Sequence, residues 1–138
     1  MPAPNFQAAL ESFPALEDAE LFTGLAGSEQ VMDECLRAGA PVVVLKLGEG
    51  GALLGTPQER TLVPGHAVDV VDATGAGDCF AGALLARLVA GDAMQAAVRY
   101  ANAAAALTTT GLGAVAPIPR PDAVRRFLST PVVQDAQA

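Results

Sequence analysis

The stretch 70–82 constrains this chain more than any other. Val70 and Val71 are apolar and β-branched, Gly75, Ala76 and Gly77 are nearly without side chains, and Phe80, Leu84, Leu85 and Leu88 then recur at helical spacing. The pattern predicts a buried strand that stops at a glycine turn and restarts as a helix. Such a helix begins with N–H groups that have no intrahelical partner. Those donors, with the positive end of the helix dipole, form an anion site. Gly75 and Gly77 let the backbone approach a ligand, since no Cβ obstructs it. Asp78 stands out here, because a carboxylate among anion-binding donors repels a phosphate. It has two readings: a carboxylate capping the helix, or a general base that takes a proton from an attacking hydroxyl.

Two phosphate motifs are excluded. Gly82 follows Gly75 and Gly77 too late for a dinucleotide fingerprint, and no Lys-Ser/Thr pair follows for a Walker A loop.

The run Asp72-Ala73-Thr74-Gly75-Ala76-Gly77-Asp78 resembles the D-T-x-G-A-G-D signature of the PfkB (ribokinase-like) carbohydrate kinases, departing at Ala73. The resemblance implies that Asp78 is the catalytic base. It also implies that the amides of Gly75, Ala76 and Gly77 form the anion hole for the transferred phosphoryl group. Lys46, Gly48 and Gly51 fall where that family has T-x-G-x-x-G, and lysine in place of threonine is similar to the 2-keto-3-deoxygluconate kinase version. Asn102 lies in Ala101-Asn102-Ala103-Ala104-Ala105-Ala106, which resembles the segment near the adenine of bound ATP. A plain helix-packing asparagine is the other reading of Asn102. In many relatives a monovalent cation, K⁺, sits between the loop after that helix and the residues matching Asp72 and Thr74.

Two further family motifs are weakened. Gln7 replaces an arginine that reaches the substrate in sugar-acid members, and Ala15 and Asp18 replace the asparagine and glutamate of N-x-x-E. A short surface helix with acids near its start fits 13–24 equally well.

Composition narrows the partners. With 138 residues, 51% of them hydrophobic, the chain can build one ordinary core and reads as a single domain. A net charge of −7 argues against nucleic acid or an anionic membrane surface. It also requires a bound phosphate to be held by backbone amides, a local cation or a metal ion. No apolar run is long enough to span a bilayer, and the first residues lack the pattern of a secretory signal. Cys35 and Cys79 are isolated and suit reduced thiols in the cytoplasm. His66, the only histidine, sits beside Pro64 and Gly65 and reads as solvated.

The remaining elements follow in order. Ser28 is placed to cap a helix running to Gly39, and 42–47 reads as a buried parallel strand. A glycine turn and a hairpin over 52–54 and 61–63 come next. The helix from Asp78 ends near Gly91, and Asp92 is placed to cap the next, which reaches about Thr109. Residues 122–128 form a last amphipathic helix, with an irregular start at 1–24 and a frayed tail at 129–138.

The expected fold is α/β: a partial ribokinase-like three-layer arrangement with a mainly parallel sheet, carrying the C-terminal part of the family pattern. The expected function is transfer of a phosphoryl group from ATP, with Mg²⁺, to a sugar or sugar-acid hydroxyl. The alternatives are a catalytically silent nucleotide-binding module and an α/β domain serving another phosphate ligand. An unpaired apolar edge at 42–47 leads us to expect homo-oligomers.

Overall fold

A computed structural model describes residues 15–113 and 117–129. The order is α1 (Leu16–Thr23), α2 (Ser28–Arg37), β1 (Val43–Lys46), a 3₁₀ turn (Gly48–Gly50), β2 (Ala52–Gly55), β3 (Arg60–Val63), α3 (Ala76–Val89), α4 (Met94–Thr108) and α5 (Pro121–Ser129). Gln7 and most of the expected irregular start and tail lie outside the described residues.

Side chains alternate across the short sheet. Val44, Ala52, Leu54 and Val63 pack against Phe80 and Leu84 of α3 and Ala97, Val98 and Ala101 of α4. Val43, Leu45 and Leu53 turn the other way, onto Ala19 of α1 and Val31 and Met32 of α2. The result is the expected three layers, with the sheet in the middle, while α5 closes onto α4 through Val124, Ala103 and Ala104. The alanines of α4 permit close approach to α3.

The sheet is not mainly parallel among the described residues. β1 pairs antiparallel with β2, and β2 with β3, in the order β1-β2-β3. A single parallel bridge joins Ala15 to Lys46. The connections explain this: a parallel pair needs a crossover of a dozen or more residues, whereas a 3₁₀ turn and a four-residue loop link these strands. In the second loop the Thr56 hydroxyl accepts from the amides of Gln58 and Glu59.

The run at Val70 and Val71 is not a strand, and both residues are exposed. The amides of Val71 and Asp72 donate to the Thr109 carbonyl at 2.7 and 3.0 Å. The backbone there is satisfied by the end of α4, so β-branched side chains have no neighbouring strand to pack on. Two expected caps also differ. Gly27, not Ser28, precedes α2, and Asp92 pairs with Arg87 at 2.8 Å while Ala93 precedes α4.

Candidate functional site

Gly75 takes φ 79° as the residue before α3, a left-handed conformation open to glycine at little cost. Gly77 is not a positive-φ residue. The Ala76 amide donates to the Ala73 carbonyl at 3.2 Å and the Cys79 amide to Gly75 at 2.9 Å. Between them, the amides of Gly77 and Asp78 have no hydrogen-bond partner among the described residues. Of the expected amides of Gly75, Ala76 and Gly77, only that of Ala76 is taken by a carbonyl, and Asp78 adds a further donor without a partner among the described residues. Asp78 is the third residue of α3, exposed, and makes no capping hydrogen bond. The capping reading of Asp78 is thus not the observed arrangement.

A cleft of about 400 Å³ opens beside this helix start. Lys46, Gly48 and Gly51 line it from the sheet side, Ala76 and Gly77 from α3, and Asn102 from α4. Chain positions far apart in sequence thus meet in one place. Asp78 and Gly75 line a neighbouring groove instead, and Asp72 and Thr74 line neither. The helix start is the divide, with Lys46 on one side and the Asp78 carboxylate on the other.

Lys46 ends β1, and its ammonium lies 5.9 Å from the centre of the Phe80 ring. A Cβ built on Gly77 would come within 3.2 Å of that Nζ. Gly51 and Gly65 serve close packing: a Cβ on Gly51 would collide with the Val63 carbonyl, and one on Gly65 with the Glu49 carbonyl. These contacts clamp the 3₁₀ turn onto the segment after β3 on the sheet side of the cleft. Gly48, at φ 62°, is exposed at its rim.

Asn102 is buried, and its Nδ2 donates to the carbonyls of Val63 and Pro64 at 3.2 and 3.4 Å. The helix-packing bond is real, and the residue borders the cleft as well. Two carbonyl acceptors fix the amide's orientation and leave Oδ1 as its other polar atom.

Asp72 ties this region to the loop after α4. Its Oδ1 accepts from the Thr74 hydroxyl and amide at 2.6 and 2.9 Å, and its Oδ2 from the Gly113 amide at 2.9 Å. The Thr74 hydroxyl bond above all, then the Gly113 and Thr74 amides, hold this carboxyl down to about 2.

Sequence reasoning missed two residues. His66 is half-buried rather than solvated: its ring meets Phe127 edge-on at 4.8 Å, and its Nε2 is buried without a partner among the described residues. Nothing near His66 in the sequence signals Phe127, which is 61 positions away. Glu17, rather than Asp18, borders the cleft. Helical spacing around Ala19, the buried residue of α1, does not indicate it, because residues two apart lie on nearly opposite sides of a helix. Among the described residues no group of three or more His, Cys, Asp or Glu is placed to hold a metal ion. None of their helices is long and apolar enough to cross a membrane.

Residues 12–121 match the family model of the pfkB family carbohydrate kinases. The chain is 36% identical over 118 residues to 2-dehydro-3-deoxygluconokinase from Bacillus subtilis (strain 168), covering 85% of this chain and 36% of that protein. A fructokinase double mutant from Vibrio cholerae O395, solved with fructose, ADP and potassium ion, superposes with a TM-score of 0.79 at 36% identity, over 84% of this chain and 39% of that one. Aminoimidazole riboside kinase from Salmonella enterica, complexed with aminoimidazole riboside and an ATP analogue, gives 0.80 at 33% identity, over 90% and 44%. The chain spans about a third of the length of the curated relatives it matches.

Proposed function

This chain belongs to the pfkB family of carbohydrate kinases, and we propose that it is the nucleotide-binding and catalytic-base part of an ATP-dependent sugar or sugar-acid kinase. The carrying observation is the start of α3, where the Gly77 and Asp78 amides and the Asp78 carboxylate, none with a partner among the described residues, stand beside the Lys46 ammonium. The polyphosphate lies in the cleft between Lys46, Gly48 and Gly77, with the adenine toward Asn102. The Gly77 and Asp78 amides hold the charge that develops on the transferred phosphoryl group. Asp78, on the far side of the helix start, takes the proton of the attacking sugar hydroxyl. Separation of the two sides puts donor and acceptor across the anion site from each other, as an in-line transfer requires.

Mg²⁺, when bound with the nucleotide, would supply neutralisation of the phosphate charge. The described residues hold no group of three or more carboxylate, His or Cys ligands, which suits an ion held mostly by phosphate oxygens and water. Asp72 and Thr74 would hold a monovalent cation such as K⁺. The Asp72 carboxyl stays charged far below neutral pH, and the Thr74 hydroxyl turns its proton to Asp72, leaving its lone pairs outward.

The test is titration of the chain with ATP and Mg²⁺, followed by assay against sugars and sugar acids. Saturable nucleotide binding is expected. Asp78→Asn should leave that affinity within about twofold and lower any phosphoryl transfer by about 10²–10⁴-fold. Normal turnover by the Asn variant sinks the base assignment. A silent nucleotide-binding module is the second reading, favoured by Ala15 and Asp18 standing where the family has the asparagine and glutamate of N-x-x-E. It predicts binding with no transfer to any sugar.

A further inference from the structure

We infer that Lys46 is a built-in counter-charge that lets this cleft hold a nucleoside di- or triphosphate without a divalent metal ion. The inference rests on the nucleotide reading above and concerns what that site demands of its ligand.

The backbone of Lys46 is fixed on both edges, paired with Ala52 of β2 and bridged to Ala15. From that fixed base the side chain crosses to the start of α3. There its ammonium stands over Phe80 and next to Gly77, beside the two amides that lack partners. Glu17 and Glu49 border the same cleft. Even so, among the described residues Lys46 makes no ion pair, whereas Arg37, Arg60, Arg87 and Arg125 each do. A half-buried ammonium has given up part of its hydration, and a ring face returns only a fraction of that loss. An anion at the helix start would supply the remainder through a charge-assisted bond.

The surrounding charge strengthens the point. A polyphosphate approaching a chain of net charge −7 meets repulsion nearly everywhere else. The described residues offer no three-ligand cluster that would bring in a metal first. The positive potential that receives the phosphates is thus the protein's own: one ammonium and one helix terminus. A divalent ion then matters for the transfer step more than for capture.

Calorimetry with ADP and ATP, each in EDTA and in excess Mg²⁺, tests this on the wild type, Lys46→Met and Lys46→Arg. The wild type should bind in EDTA within about tenfold of its affinity in Mg²⁺. Lys46→Met should lose about tenfold or more in EDTA and less in Mg²⁺, and Lys46→Arg should restore most of the EDTA affinity. Wild-type binding that requires Mg²⁺, or a Met variant that binds normally in EDTA, overturns the inference and leaves the nucleotide reading standing. No saturable binding in either buffer removes both. The wild-type comparison decides the matter even if the Met variant folds poorly.

Discussion

His66 shows how a single side chain acquires a property that its sequence neighbours do not announce. Burial above all, then the charge of Arg99 on α4, pushes its imidazole below the ordinary 6.5. The neutral ring is therefore the form that fits against Phe127. Because the folded value lies below the unfolded one, the unfolded chain binds the proton first. Stability should fall as pH drops through 6.5 and level off below the folded value. Replacing His66 with Phe removes both the titration and the unpartnered Nε2. We expect this variant to lose the acid-side slope and to gain about 1 kcal/mol at pH 6, measured by urea unfolding across pH 5–8. A slope unchanged by the substitution would assign the acid sensitivity to another group. Asp78 is the opposite case. Its place behind Gly75, Ala76 and Gly77 made an exposed carboxylate at a helix start legible from residue order alone, because helix geometry fixes which amides lack partners. What residue order could not show was the Ala73 carbonyl, which claims the Ala76 amide from the middle of the expected three, while those of Gly75, Gly77 and Asp78 have no partner among the described residues.

Among the elements, those governed by local periodicity were readable and those governed by remote partners were not. The 42–47 strand, the hairpin and the later helices follow from apolar spacing and glycine turns. Val70 and Val71 look like strand residues, yet the Thr109 carbonyl, nearly 40 residues away, takes the amides of Val71 and Asp72. Asp92 looks like a cap, yet Arg87 sits one turn back and claims both its oxygens, at 2.8 and 3.0 Å. The same remote logic makes Asp72 a fastener between the α3 approach and the loop after α4. Asp72→Asn keeps the size but gives up the charge and at least one acceptor. The loop around Gly113 should then open more often, and limited proteolysis there should speed up by roughly tenfold. Wild-type chains should show the same change on acidification, since the folded carboxyl is depressed. Its contribution is complete above the ordinary 3.8 and is lost as pH falls toward about 2. Equal cleavage rates for variant and wild type at neutral pH would show that the loop is held by something else.

At the scale of the whole molecule, the strand whose edge is expected to be unpaired is covered on its faces: Val43, Val44 and Leu45 are fully buried between the two helical layers. The vulnerability lies elsewhere. Leu21, Leu112 and Val89 are 84%, 73% and 72% exposed, and Val71 and Val70 are 58% and 51% exposed. Single exposed aliphatics are ordinary on a protein surface, but Val70 and Val71 are adjacent and β-branched. Among the described residues the outer edge of β1 has only the bridge from Ala15, and an edge with unpaired amides and carbonyls is a template for another strand. Together these features lead us to expect that the chain associates with copies of itself. Sedimentation velocity should then show a mean mass that rises with concentration. Val71→Lys with Val89→Lys should lower the association constant by about tenfold or more, as charge is placed on two of the exposed aliphatic positions. Neither position lines the cleft beside the start of α3, so under the proposed function ATP affinity should be unchanged in the double variant. A wild-type chain that stays monomeric at the highest soluble concentration would refute the expectation. It would mean that these exposed aliphatics and the short β1 edge are tolerated in water as they stand.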